Sequence, residues 1–185
     1  MSVRTLAVLA TLAIVPFAAA ADEENPYKKA KLGDYATYKM TGKAAGMAIE
    51  GTMTQAVTAK SDKELTLKVT GKVNGMDIPS QEQKIDLTKP YDPTKTVLPP
   101  GTEGKVEKLK DGKEKVKVAG KEYDCVWETY KIKAKANGME FEADAKVWQT
   151  KDLSLLVVKM EMNTEVAGMK IEMAMELSES GSKSD

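Results

Sequence analysis

The residue types that most often do chemistry in proteins are nearly absent from this sequence. It contains no histidine, one cysteine (Cys125) and one arginine (Arg4). Beyond Arg4, the chain therefore cannot build a Ser-His-Asp triad, a histidine metal site, a histidine proton shuttle or a bidentate arginine clamp on phosphate. Carboxylates are present but scattered, and histidine is the most common general base. We expect a protein without enzymatic activity and without a cofactor.

The charge pattern argues against nucleic acid as a partner. The chain has 28 Lys and Arg against 28 Asp and Glu, and the two signs are interleaved along the sequence. Binding to a phosphate backbone requires a basic patch or stripe, which this pattern does not provide. We therefore expect no nucleic-acid binding.

Sulfur offers two further possibilities. Met160-x-Met162 and Met173-x-Met175 would bring four thioethers together if their strands pair, and thioethers favour Cu(I). The alternation of an ordinary half-buried strand produces the same spacing. Cu(I) binding is therefore a minor alternative, and we expect no metal site. Cys125 has no histidine to activate it, so we expect a buried, unreactive thiol.

The N-terminus is typical of a secretory signal peptide. Arg4 is followed by an apolar stretch from Leu6 to Phe17 and by small residues from Ala18 to Ala21. The apolar stretch is shorter than the roughly 20 residues that span a bilayer. We expect residues 1–21 to be removed and the protein to be secreted or periplasmic. In such an oxidising compartment, one cysteine cannot form an intramolecular disulfide.

The rest of the chain predicts a single all-β domain at residues 34–177. Polar residues 22–33 precede it, and period-2 alternation runs through it with no stretch of helical spacing. Residues 178–185 offer no apolar side chain to bury, so we expect a disordered tail. A proline-rich loop at 89–101 divides the strands. The Lys- and Glu-rich residues 104–120 suggest a solvated hairpin centred on Asp111-Gly112.

A weak repeat places four of the hairpins. Each Gly-Met pair follows one alternating segment and begins the next, as a hairpin turn does; the pairs are Gly46-Met47, Gly75-Met76, Gly138-Met139 and Gly168-Met169. Asn-Gly before Met76 and Met139 suits a two-residue type I′ turn, which needs two positive φ angles. Alanine resists positive φ by about 1–2 kcal/mol. At Ala45-Gly46 and Ala167-Gly168 we therefore expect four-residue loops of the same register. The predicted architecture is an antiparallel meander of nine or ten strands, forming a curved sheet or an open β-barrel.

Cross-strand partners support the register around residues 137–138. One face pairs Lys135 with Glu140, Lys133 with Glu142 and Lys131 with Asp144, and the other pairs Ala136 with Met139, Ala134 with Phe141 and Ile132 with Ala143. Charge pairs on one face and apolar pairs on the other rarely coincide by chance. Continued outward, the register sets Trp127 opposite Trp148. We interpret this pair as stabilising the hairpin, with an interaction patch for a partner as the alternative.

The inner face of the predicted sheet is rich in methionine, glycine and alanine. Methionine adapts to varied apolar shapes, and small residues leave room above a sheet. The candidate ligand-contacting residues are Met40, Met47, Met53, Met139, Met160, Met162, Met173 and Met175. Our leading hypothesis is an exported binding module that holds an apolar ligand, such as a lipid chain, on this face. The alternative is a structural or interaction protein of the cell envelope with a filled core, which meets a protein partner through edge strands or the Trp pair.

Four stretches of the sequence carry a resemblance to known proteins. The signal sequence, Gly33-Asp34-Tyr35, and the stretches at 118–125 and 146–152 resemble small, uncharacterised secreted bacterial β-proteins. More distantly, the meander resembles the open β-barrel of lipoprotein carriers and related lipid-binding envelope proteins. That resemblance implies a barrel-like sheet and a lipid ligand. The carriers add helices and a cavity arginine, which this chain lacks, so no functional residue is transferred.

Overall fold

Nine antiparallel strands form one sheet in this computed structural model, which describes residues 25–91, 103–136, 139–166 and 168–183. The strands are β1 (Asp34–Ala44), β2 (Met47–Lys60), β3 (Glu64–Val73), β4 (Met76–Asp86), β5 (Glu103–Val118), β6 (Lys121–Ala136), β7 (Met139–Gln149), β8 (Val157–Val166) and β9 (Met169–Ser182). Their order is β4-β3-β2-β1-β9-β8-β7-β6-β5, so β4 and β5 are the two edges. The prediction of an all-β antiparallel meander in a curved or open-barrel sheet is confirmed.

The predicted registers are confirmed at all four Gly-Met hairpins. Ala44 pairs with Met47 and Val73 with Met76. Every pair predicted between β6 and β7 is present, including Trp127 opposite Trp148, and so is Met162 opposite Met173 between β8 and β9. These four hairpins lie at one end of the sheet, which we call the turn end. Asp34 pairs with Ser182 at the opposite end.

The turn at Ala45-Gly46 differs from the prediction. Ala45 has φ 50° and Gly46 has φ 81°, so the chain makes a two-residue turn in which alanine occupies the left-handed region. The predicted four-residue loop is therefore wrong here. The many ladder pairs of β1 with β2 and β9 fix the register, and they outweigh about 1–2 kcal/mol of local strain. Residues 137, 138 and 167, which complete two other predicted turns, lie outside the described residues.

Three inward-facing glycines allow the sheet to bend. A Cβ atom built on Gly42, Gly51 or Gly71 would lie 2.2–2.4 Å from a backbone carbonyl oxygen of the neighbouring strand. Only glycine permits so close an approach, and glycines within strands mark such bends. The space that these residues leave is thus occupied by adjacent backbone.

The concave side of the sheet holds one apolar core. Aromatic and aliphatic residues from all nine strands contribute to it, and Tyr38 at its centre has 0% exposure. The hydroxyl of Tyr38 donates a hydrogen bond to the carbonyl oxygen of Val157, 3.3 Å away, on a strand close in space but 119 residues distant in sequence. The core therefore joins both halves of the meander.

Residues 104–120 form one long strand instead of the predicted hairpin. β5 runs through Asp111-Gly112 without turning, and the chain reverses at Ala119-Gly120. A bulge between Lys108 and Lys110 shifts its register against β6. Position 112 requires glycine because the Trp127 ring packs against its backbone, and a Cβ atom there would lie 2.6 Å from that ring. A contact from the next strand, which the local sequence does not reveal, explains this glycine.

Both segments that flank the predicted domain contain ordered structure. In the polar N-terminal segment, a short 3-10 helix (Pro26–Lys29) buries Tyr27 to 2% exposure. The Asn25 amide donates hydrogen bonds to the carbonyl oxygens of Asp86 and Lys89. In the predicted disordered tail, residues up to Ser182 extend β9 alongside β1, so that prediction is wrong for 178–182. Backbone pairing with β1 orders a tail whose side chains bury little.

The predicted proline-rich loop lies mostly outside the described residues, which stop at Tyr91 and resume at Glu103. Tyr91 stacks edge-on against Tyr27, with ring centres 5.7 Å apart. β4 ends opposite the turn end, whereas β5 begins at the turn end.

The described part of the chain contains no helix with the length and hydropathy of a membrane span.

Candidate functional site

Most of the predicted methionines belong to the core. Six side chains are 1–8% exposed, those of Met40, Met53, Met160, Met162, Met173 and Met175. Met47 lies beside its turn and is 56% exposed. The side chain of Met139 lies outside the described residues. The six buried methionines pack as in a filled core, and ligand binding on this face stays a prediction.

The Trp pair is covered by charged side chains. The Lys146 ammonium lies 4.5 Å from the Trp127 ring centre and 4.2 Å from that of Trp148, and Lys159 lies 5.2 Å from the latter. Trp148, 5% exposed, donates its indole N–H to Glu114. These are cation–π contacts within the chain. The rings therefore make stabilising contacts within the outer face of β5–β7, and an interaction patch at this pair stays a prediction.

The same cluster lowers the pKa of the Glu114 carboxyl group. The hydrogen bond from Trp148 lowers the pKa of Glu114, partial burial opposes this, and the charge of Lys146 adds to the lowering. Glu114 is thus held ionised beside two lysines. The charges neutralise one another on this face.

A cavity of about 880 Å³ opens at the turn end. Its lining includes the core residues Ala134 and Phe141, which are 7% exposed and alternate along β6 and β7 with the outward-facing Lys133 and Glu142. Its walls come from β5 to β8 and the start of the β8–β9 hairpin; the lining residues are Gly104, Lys105, Lys133, Ala134, Lys135, Glu140, Phe141, Glu142, Glu165 and Gly168. Curling of the sheet brings the start of β5 close to the β8–β9 turn, and this approach creates the cavity. We call it the turn-end cavity.

The walls of the turn-end cavity carry both signs of charge. Three lysines from β5 and β6 face three glutamates from β7 and β8. Lys133 and Glu142 form an ion pair of 2.6 Å. Their hydrogen bond raises the pKa of Lys133 and lowers that of Glu142. The lining thus combines two apolar residues of the core with several hydrogen-bond donors and acceptors.

None of the seven predicted methionines whose side chains the structure describes lines this cavity. One signal could have pointed to it: Phe141 is the only phenylalanine after the signal sequence, and its register position is near a turn. Large aromatic side chains contribute strongly to core and interface energetics. The cavity itself depends on sheet curvature, which alternation of residue types does not encode.

A second cavity, of about 540 Å³, lies at the opposite end beside Cys125. Lysines and acidic residues of β5, β6 and the segment after β7 line it. The thiol is 3% exposed, and burial, with help from Asp124 and Glu114, raises its pKa to about 11. Since thiolate is the reactive form, this cysteine is not an activated nucleophile.

A buried carboxylate that sequence reasoning missed lies on the inner face of β6. Glu128 is 3% exposed, pairs with Lys108 at 2.6 Å and accepts a hydrogen bond from the Tyr130 hydroxyl. Burial and then this hydrogen bond raise the pKa of Tyr130. The Glu128 carboxylate thus has an ion-pair partner and a hydrogen-bond donor within the protein.

The described residues contain no group of three or more Asp, Glu or Cys side chains arranged to hold a metal ion.

Comparison with known proteins identifies a shared fold. A crystal structure from Bacteroides fragilis, of a protein provisionally described as exported and having a YmcC-like fold, superposes with a TM-score of 0.53. The match covers 82% of this chain and 96% of the other, at 10% sequence identity. No family model matches the chain. No curated protein matches its sequence. The likeness therefore concerns the fold, and the resemblance to lipoprotein carriers stays a prediction.

Proposed function

We propose that this protein is an exported, non-enzymatic binding protein that holds an amphiphile in the turn-end cavity. One observation carries the proposal: a concave opening at the turn end is lined both by two residues of the core and by lysine and glutamate side chains. Ligand sites are concave, largely apolar and furnished with a few polar groups, and they measure about 300–1,000 Å³. The turn-end cavity, at about 880 Å³, lies within that volume range, and six of its ten named lining residues are lysine or glutamate.

The chemistry of the cavity favours a ligand with two parts. Ala134 and Phe141 offer contact to an acyl chain or a similar apolar group. Lys105, Lys135 and Glu165 on the rim can hydrogen-bond a polar or charged head. Export agrees with the signal-like N-terminus and with the description of the Bacteroides protein that shares the fold. The proposal keeps the amphiphilic or lipid ligand of the leading hypothesis and moves it from the methionine face to this cavity.

The test is a matched pair of substitutions read out with a fluorescent fatty acid. Glu165→Trp places a bulky ring in the cavity wall, and Glu172→Trp places the same ring at an exposed position on β9 that does not line the cavity. We expect Glu165→Trp to weaken binding at least about tenfold, since it fills the volume that the ligand needs. Glu172→Trp should bind as wild type does.

Equal binding by both variants would exclude the turn-end cavity as the site. Native mass spectrometry of protein purified from its own compartment gives an independent readout, because a carried lipid appears as discrete added mass. A bare chain in that spectrum, together with no binding of the fluorescent fatty acid, would contradict the proposal.

A second candidate function is protein interaction through a sheet edge. In the described residues, β5 pairs only with β6, so one side of a sixteen-residue strand lacks a neighbouring strand. Extended peptides can add to such edges. The lysines and glutamates of β5 also protect this edge from non-specific strand pairing. Lys110→Pro, placed at this edge, should abolish capture of a protein partner and leave fatty-acid binding unchanged if this second function holds.

A further inference from the structure

The turn end carries methionines where a soluble surface would carry polar residues. In each Gly-Met hairpin the methionine follows the turn glycine directly. Met47 is 56% exposed, Met76 is 45% exposed and Met169 is half-buried. Four large apolar side chains are exposed in the described part of the chain, and two of them are at this end.

The sheet spaces these methionines regularly. Met76, Met47, Met169 and Met139 begin β4, β2, β9 and β7, which are every second strand in the sheet order. Neighbouring strands are about 4.8 Å apart, so successive methionines are separated by roughly 10 Å along the edge of the sheet. We call the first three of these positions, whose side chains the structure describes, the methionine rim. Their spacing is too wide for a shared metal ion.

From this arrangement we propose that the methionine rim docks on a lipid bilayer, so that the turn-end cavity faces the membrane from which its amphiphile comes. The inference rests on the proposed function and names the source of the ligand. Single apolar side chains that project from separate turns can each enter the boundary between head groups and acyl chains. The turn-end cavity opens at the same end of the sheet.

A bilayer suits the rim better than a protein partner does. Stable protein interfaces need a contiguous, complementary patch of roughly 800 Å² on each side. Exposed side chains about 10 Å apart on separate turns do not make such a patch. A fluid surface adapts to each projection independently. The membrane is therefore the occupant that the spacing favours.

The charges at this end predict how binding depends on salt. Lys72 pairs with Asp77 at 3.4 Å, and Lys133 pairs with Glu142 at 2.6 Å. Because positive charges are offset by neighbouring carboxylates, attraction to anionic head groups contributes little. Binding should depend on apolar insertion, and it should change less than about twofold when salt is added.

The experiment measures co-sedimentation of the full chain with phosphatidylethanolamine–phosphatidylglycerol vesicles. The double variant Met47→Ser/Met76→Ser removes two rim side chains. The control Leu32→Ser/Leu109→Ser removes two apolar side chains of similar exposure, 59% and 51%, that lie away from the rim. We expect the rim variant to lose at least about tenfold in vesicle affinity, since each inserted methionine contributes through buried apolar area. The control variant and Met47→Leu/Met76→Leu should bind as wild type does.

Three outcomes would overturn the docking inference: no vesicle binding by wild type, equal loss in the rim and control variants, or a shift from dimer to monomer in the rim variant during ultracentrifugation without lipid. The last would assign the rim to a second copy of the chain. Fatty-acid binding measured without vesicles separates the two proposals. If the rim variant binds fatty acid normally but the wild type does not bind vesicles, only the docking inference is wrong. If vesicles bind through the rim while Glu165→Trp leaves fatty-acid binding intact, only the assignment of the ligand to the turn-end cavity is wrong.

Discussion

Met162 and Met173 face each other across β8 and β9 with exposures of 1% and 8%, and Met160 and Met175 pair beside them. Alternation along a half-buried strand accounts for this arrangement without a metal. Packing requires contacts at about 4 Å, whereas Cu(I) requires sulfur atoms that converge on one point. At the scale of single residues, Cu(I) binding and core packing thus make different demands on the same side chains.

Replacing Met162 with leucine distinguishes the two roles. We expect Met162→Leu to fold with a loss of less than about 1.5 kcal/mol, because the swap nearly conserves volume. We also expect neither wild type nor variant to hold Cu(I) against a competing chelator. The measurements are urea unfolding and a chromogenic Cu(I) competition assay. Tight Cu(I) binding by wild type that disappears in the variant would establish the methionine array as a metal site.

Hairpin turns could be located from the sequence, but their internal conformation could not. The Gly-Met repeat, together with Lys–Glu pairs on one face and apolar pairs on the other, fixed both the position and the register of the strands. The conformation of Ala45 was mispredicted. The energetic penalty of a positive φ at alanine decides the turn type only where strand pairing does not already fix the register.

Asparagine at position 45 should therefore stabilise the protein. Asparagine tolerates the left-handed region and occupies the equivalent position, φ 49°, at Asn74. We expect Ala45→Asn to raise the free energy of unfolding by about 1 kcal/mol. Ala48→Asn, at an exposed position within β2, serves as the control, and it should give no gain because asparagine is disfavoured in strands. Urea denaturation measures both; a destabilised Ala45→Asn would mean that the turn is not strained.

Elements held by distant contacts escaped prediction. The 3-10 helix at Pro26–Lys29 and the extension of β9 to Ser182 have polar sequences. Their order comes from Tyr27 in the core and from pairing with β1, and neither contact leaves a trace in nearby residues. The turn-end cavity escaped for a similar reason, because it arises where a curved sheet brings β5 near the β8–β9 turn.

At the scale of the whole molecule, the N-terminal segment closes the core at the end opposite the turns. Tyr27 packs there against Tyr91, and the Lys60 ammonium donates a hydrogen bond of 2.7 Å to the Lys28 carbonyl oxygen. Complete burial raises the pKa of Tyr27, so the phenol stays protonated at any physiological pH. A segment expected to be merely polar is thus part of the folded unit.

Truncating Tyr27 should destabilise the whole protein. We expect Tyr27→Ala to lower the free energy of unfolding by about 3 kcal/mol or more, the usual cost of deleting a buried aromatic ring. Lys29→Ala, at an exposed position in the same 3-10 helix, should change stability by less than about 0.5 kcal/mol. Chemical denaturation followed by Trp fluorescence compares them. Equal stability of the two variants would indicate that the segment packs only loosely.

The pairing of β1 with β9 has a consequence for folding. Among the described strands, β1 is synthesised first and β9 last, and yet they are neighbours at the centre of the sheet. Strands β1–β4 can pair with one another early, and so can β5–β8. The two groups are joined only when β9 pairs with both β8 and β1. Contacts of such large sequence separation slow folding. The central pairing of the sheet therefore waits for β9, so folding should be slower than that of a meander in which every neighbouring pair of strands is consecutive in sequence.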